Sequence, residues 1–228
     1  MKLLPSPGAF AQSVTNCWSL LRRLGIADHR IRRPFSTPEL IEAARKSISY
    51  RIVYDLYRES ASYDIMLADG SLLLFRCAPM EKTMLCYQYL ATPYDCIGYD
   101  EFVRDVFRDS LQSERTASES YEEYLGQAEL RTNVVPLRYD WSPTLYREGA
   151  HPPGHLHIGF RTDLRIAVDF VLEPHLFLHL VLRQHYVQVW ENEFLSHGSS
   201  PSRVAQLRDR PVPKEYVQTK DLWELRLR

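Results

Sequence analysis

Arg138-Tyr139-Asp140-Trp141 and, after a loop, Gly154-His155-Leu156-His157-Ile158-Gly159-Phe160 alternate apolar and polar side chains. A period of two belongs to an extended strand, whose successive side chains point to opposite faces. Leu137, Tyr139 and Trp141 then share one face, and Arg138 and Asp140 share the other. On the second segment Leu156, Ile158 and Phe160 oppose His155, His157 and Gly159. Paired as neighbours, the two strands give the core one apolar wall and gather Arg138, Asp140, His155 and His157 on the opposite flank. The spacing predicts strands over about 133–141 and 154–160, with another at 164–168. The intervening loop carries Pro143, Gly149, Pro152 and Pro153.

Upstream, the period of two also predicts strands near 50–57, 62–68, 71–77 and 83–90, an antiparallel meander whose Asp69-Gly70 turn tolerates positive φ. Helices are expected where apolar residues recur at three and four: 9–24, then a short one from Thr37-Pro38-Glu39 to about 47, then 99–111 and 118–130. A longer helix runs from Pro174 toward Phe194. His29 to Pro34 reads as a basic linker, 196–202 as a loop and 221–228 as an edge strand. The class is α+β: a largely antiparallel sheet, a meander plus a second strand pair, covered by helices. One domain over 1–228 is expected, with 1–48 helical and 49–228 holding the sheet.

The chain has 228 residues, with 28 Lys+Arg against 29 Asp+Glu and 45% hydrophobic residues. That length is ample for a buried core, and the balanced charge argues against bulk electrostatic capture of nucleic acid. Cys17, Cys77, Cys86 and Cys96 form no C-x-x-C pair, so no zinc ribbon or thioredoxin couple is indicated. No run of about 18 apolar residues occurs, so no membrane span is expected, and the cytoplasm is the expected compartment. The segment from Asp95 to Glu129 has ten acidic residues against three arginines. It reads as two solvated helix faces or as a docking surface for a basic partner. The patches Arg30/Arg32/Arg33 and Arg203/Arg208/Arg210 are solvated, or they touch nucleic acid.

The Arg/Asp/His flank is the candidate site. Imidazoles exchange protons near neutral pH, so His155 and His157 suit an acid–base pair, and Asp140 suits the carboxylate that orients one ring. Arg138, with Arg147 or Arg165, suits a phosphate oxygen. Gly159 leaves that flank unobstructed. A metal site and a plain polar patch are the competing readings. No cofactor is indicated. His175 and His179, four apart on the predicted helix, have ligand spacing, but H-E-x-x-H is absent because Leu176 stands where Glu would be. His179 and Arg183 therefore read as the wet stripe of an amphipathic helix, and His185 has no evident partner. G-x-S-x-G, Walker A and G-x-G-x-x-G patterns are missing, which leaves hydrolase-elbow, NTPase and dinucleotide readings unsupported.

The run from Arg138-Tyr139-Asp140 through His151-Pro152-Pro153-Gly154-His155-Leu156-His157-Ile158-Gly159 resembles the signature of an uncharacterised bacterial domain-of-unknown-function family found in phage-defence gene neighbourhoods. It is more loosely similar to TumE-type toxins, which have an R-Y-D stretch before a denser histidine-rich strand. The resemblance implies a component of an anti-phage defence or toxin–antitoxin-like system. The resemblance supplies no reaction. The Arg/Asp/His face leads to the expectation that such a component binds or cleaves a phosphate-bearing ligand or nucleic acid. The acidic helices and basic patches lead to the alternative of a non-catalytic subunit docked to a larger ATPase or nuclease. A larger protein partner or a homo-oligomer is expected.

Overall fold

The computed structural model describes residues 5–31, 36–78, 84–107, 116–148, 150–162, 164–168 and 170–195. Among the described residues there are nine strands: β1 (Ala27–Arg30), β2 (Ile65–Leu67), β3 (Leu72–Ala78), β4 (Met84–Leu90), β5 (Tyr94–Asp95), β6 (Glu129–Leu130), β7 (Leu137–Trp141), β8 (Gly154–Ile158) and β9 (Ile166–Ala167). Seven belong to one antiparallel sheet in the order β1-β2-β3-β4-β7-β8-β9, and β5 pairs with β6 in a small second sheet. With seven α-helices among the described residues, the class is α+β as expected. The chain divides into two compact units, one drawing on 1–24, 75–89 and 136–228, the other on 25–74 and 90–135.

The first unit holds the site. Its α1 (Pro7–Arg23) starts where the Ser6 hydroxyl accepts from the Ala9 N–H, with Pro7 at the first helical position. Val14, Cys17, Leu20 and Leu21 form its buried stripe, and the left-handed Gly25 (φ 71) follows its end. β4, β7 and β8 lie side by side, with Tyr87 opposite Tyr139 and Tyr139 opposite Leu156. Tyr87, Tyr139 and Trp141 are completely buried. The two tyrosines also bracket one residue, because the Leu172 N–H donates to Tyr139 Oη and Tyr87 Oη donates to the Leu172 carbonyl. Phe177 of α6 (Pro174–His185) packs edge-on against Tyr87. The helix expected to run unbroken from Pro174 is interrupted at Tyr186 (φ −127, ψ 51), where α7 (Val187–Trp190) and a π-turn (Glu191–Leu195) begin. The Tyr186 and Tyr89 hydroxyls lie 3.3 Å apart at that break.

The second unit corrects two expectations. The residues read as a strand at 50–57 form α3 (Tyr50–Glu59), which buries Val53, Tyr54 and Tyr57 at helical spacing and leaves Ile52 half exposed. The β-branched and aromatic residues there cost only a few tenths of a kcal/mol each in a helix, about what one buried tyrosine face outweighs. Tyr54 Oη donates to the Gly70 carbonyl, and Arg58 grips Glu122 of α5 (Ala117–Gln127) with two hydrogen bonds. The second correction is the basic linker, whose first residues form β1 against β2. β1 is the outermost strand of the sheet, with His29 exposed and Asp28 and Arg30 part-buried while its backbone pairs with β2. The expected Asp69-Gly70 turn is present: Gly70 has φ 85, and the Ser71 N–H donates to Asp69 Oδ1. α2 (Pro38–Lys46) is capped by Thr37 as its sequence predicts. The expected 99–111 helix is described as α4 (Tyr99–Phe102) and a π-turn (Val103–Phe107). The expected 196–202 loop, the 221–228 strand and the Arg203/Arg208/Arg210 patch lie outside the described residues, as do Arg32 and Arg33. No helix among the described residues is long and apolar enough to cross a membrane.

Candidate functional site

Register brings the site together. In the β7–β8 ladder Arg138 faces His157 and Asp140 faces His155, and on the other side of β7 Gln88 faces Arg138 and Cys86 faces Asp140. Directly opposite residues of an antiparallel pair place their Cβ atoms about 4.5–5.5 Å apart on one face. The alternation that sends Tyr139 and Trp141 into the core therefore sends six polar side chains to the opposite flank of three adjacent strands.

Asp140 is the hub. Its Oδ2 accepts from Arg138 Nε at 2.8 Å and lies 3.4 Å from His157 Nε2 and 3.9 Å from His155 Nε2. The Cys86 thiol also donates to this carboxylate. Burial pushes the Asp140 pKa up, but the His157 hydrogen bond and the Arg138 charge outweigh it and hold the carboxyl below its ordinary range. Asp140 is therefore an anion at neutral pH. The Cys86 thiol, pushed up to about 12 by burial and then by the Asp140 charge, stays protonated. Side-chain exposure rises from one end of the cluster to the other: 3% at His155, 10% at His157, 22% at Asp140 and 47% at Arg138. The rings lie at the back and the guanidinium at the rim.

His155 is fixed in orientation and charge. Its Nδ1 lies 3.1 Å from the Pro152 carbonyl. A carbonyl oxygen only accepts, so Nδ1 carries the hydrogen and the lone pair of the neutral ring is on Nε2, facing Asp140. Burial, and then the neighbouring His157, lower the His155 pKa to about 4. His155 is thus an electron-pair donor at neutral pH rather than a store of protons. The His151 ring packs edge-on against it with centroids 4.8 Å apart, and the His155 and His157 rings are equally close. Pro152 and Pro153, both buried, hold the loop that supplies the carbonyl.

The four residues of the predicted face converge as their alternation implies. Arg147 and Arg165 stand on segments next to the cluster. Arg147 is exposed and bridges His151 through the backbone. Arg165 precedes β9, whose Ala167 pairs with His155, so the register continued by two residues sets Arg165 opposite His157. Gly159 has another role than leaving room for a ligand. With φ 87 it turns the chain at the end of β8, and its N–H donates to the Pro136 carbonyl.

Sequence reasoning missed Cys86, Gln88 and His151 as members. The alternation of β4, with Leu85, Tyr87 and Tyr89 buried, marks Cys86 and Gln88 as polar-face residues, but only the fold shows that β4 lies beside β7. The helical histidines also depart from expectation. Arg183 is exposed, but His179 is buried, with its ring against His175 (4.4 Å between centroids), Trp190 and Phe194. Neither His179 nitrogen has a hydrogen-bond partner among the described residues. His185 does have a partner, since its ring packs at a tilt against Tyr89 with centroids 4.5 Å apart.

Residues 19–218 match a family model described as Uncharacterized conserved protein (DUF2290). The chain belongs to this family. The DUF2290 match takes in every residue of the Asp140 cluster and all three histidines of α6. No curated protein and no solved structure matches the chain.

Proposed function

We propose that the polar flank of β4, β7 and β8 binds a phosphate-bearing ligand, a nucleotide or nucleic acid, and hydrolyses its ester. In this reading Arg138 holds an anionic oxygen, and Asp140 with His155 and His157 forms the centre that activates the attacking water. The observation that carries it is the single Asp140 oxygen reached by a guanidinium and two imidazoles, with Arg138 on the open side and the electron-pair donors behind. An anion entering from solvent meets the guanidinium first, and water held beyond it lies against groups able to polarise it.

The defence or toxin–antitoxin setting is part of the proposal. It rests on the resemblance of the Arg138–Gly159 signature to proteins from phage-defence neighbourhoods and, more loosely, to TumE-type toxins. Two measurements test the reading. End-labelled RNA and single-stranded DNA should be cleaved by the wild type, far more weakly by Arg138→Gln, and spared by His157→Ala. Phage survival or growth arrest in cells expressing wild type or His157→Ala at equal levels tests the setting. Equal phenotypes with an intact fold would transfer the role to docking on a larger ATPase or nuclease.

A further inference from the structure

We infer that Asp140, His155 and His157 form a binding site for one divalent first-row transition ion of the zinc class. The inference rests on the reading of this flank as a water-activating centre, and it names the cofactor that would do the activating.

Geometry comes first. The three ligand atoms lie within 4.8 Å of one another. Nitrogen and oxygen ligands bind zinc at about 2.0–2.2 Å, so two ligands on one ion stand about 3.0–3.6 Å apart. The Asp140–His157 separation of 3.4 Å falls inside that window, the Asp140–His155 separation of 3.9 Å must close by about half an ångström, and the two histidine nitrogens, within 4.8 Å of each other, must close by up to about 1.2 Å. All three side chains spring from two directly hydrogen-bonded strands, so the site needs no long-range rearrangement.

The second observation is electrostatic. With its hydrogen committed to the Pro152 carbonyl, His155 aims the Nε2 lone pair at a carboxylate oxygen that has only lone pairs to offer. Two acceptors facing each other across a buried gap repel unless a cation or a donor lies between them. A metal ion satisfies both. The Pro152 carbonyl is also the outer partner that metal-ligating histidines ordinarily have, fixing tautomer and ring angle. Arg138 and the Cys86 thiol do the same for the Asp140 carboxylate.

The donor set decides the ion. Two imidazoles and one carboxylate suit zinc, iron, cobalt or manganese, whereas magnesium and calcium prefer oxygen throughout. Three protein ligands leave a coordination position open to water, the arrangement of catalytic sites rather than structural ones.

The test uses the full chain stripped with EDTA and titrated with zinc sulfate by calorimetry, with cobalt(II) absorption as a report of the ligand field. One ion per chain is expected, with visible cobalt bands. Asp140→Asn and His157→Ala should each weaken zinc binding at least about 100-fold, more than the 10–100-fold typical of losing an outer partner. His175→Ala should leave it unchanged, which separates this site from the histidine pair on α6. Circular dichroism checks that each variant is folded, and should His157→Ala not fold, the near-isosteric Asp140→Asn decides alone. No saturable binding by the wild type, or binding that survives Asp140→Asn, overturns the proposal. Arg138→Gln distinguishes the two readings: it should sharply weaken nucleic-acid cleavage by raising KM, while one zinc ion per chain still binds with no more than the about 10–100-fold weakening of a lost outer partner.

Discussion

Gly154 lies directly opposite Trp141 in the β7–β8 ladder, and a Cβ built on it would stand 2.8 Å from Trp141 Cε3. The indole is wholly buried and cannot swing away, and the Val168 carbonyl closes the other side at 3.3 Å. Glycine here lets β8 approach the core closely enough for His155, the next residue, to reach Asp140. Gly154→Ala should destabilise the fold by about 1–3 kcal/mol, the usual range for overpacking a filled site. Urea unfolding checks this, and a loss within error of zero would mean the strand relaxes at no cost.

Tyr139 supplies a second test of the scaffold. Its hydroxyl is the acceptor for the Leu172 N–H in the fully buried core. Tyr139→Phe keeps the ring and removes the acceptor, stranding a backbone donor away from water. The expected loss is about 1–3 kcal/mol, the cost of an unsatisfied buried group. Tyr87→Phe, which frees a carbonyl instead, should cost less, because a carbonyl oxygen tolerates losing one of its partners better than a lone N–H does.

His179 makes stability depend on pH in a defined direction. Burial, reinforced by His175, lowers its pKa to about 3, whereas an unfolded chain titrates near the ordinary value of 6.5. Above that ordinary value both states are neutral there and the group adds no pH dependence. As pH falls below it the unfolded state takes a proton that the folded state refuses, so stability drops until the folded pKa is passed. His175 is the titratable ring against it, and Trp190 and Phe194 complete the contact. Lowering the pH from about 7 to about 5 should cost roughly 2 kcal/mol through this group. His179→Leu should remove that part of the decline in urea-unfolding curves, and an unaltered decline would locate the sensitivity elsewhere.

The sequence was most legible where one physical rule acted alone. Alternation along β7 and β8 was enough to put Arg138, Asp140, His155 and His157 on one flank, because pleating leaves no other choice once the strands pair. It failed where two rules competed. In α3, Tyr50 to Tyr57 favours strand by residue type and helix by spacing, and the buried face of Val53, Tyr54 and Tyr57 decided for helix. His179 was misread for a related reason: a histidine between apolar residues marks a wet stripe only if nothing covers it, and the break at Tyr186 brings Trp190 and Phe194 over its ring. Cys86 and Gln88 depended on which strand neighbours β7, a pairing between segments some fifty residues apart that no local pattern records.

Arg138 separates recognition from chemistry. Its guanidinium is the most exposed member of the cluster and holds Asp140 through Nε, which leaves its other nitrogens for a ligand. Arg138→Lys keeps the charge and loses the planar fork, whereas Arg138→Gln loses both. If the anion is held by two hydrogen bonds, Lys should raise KM about tenfold and Gln about a hundredfold, a loss of roughly 1.4 and 2.7 kcal/mol in binding. Because the residue also orients Asp140, some loss of kcat is expected in both variants, and it should be similar in the two since neither can reproduce the Nε contact. Steady-state kinetics on a short labelled RNA would read the split. Equal KM values for Lys and Gln would show that the fork does not grip the substrate and would confine Arg138 to positioning the carboxylate.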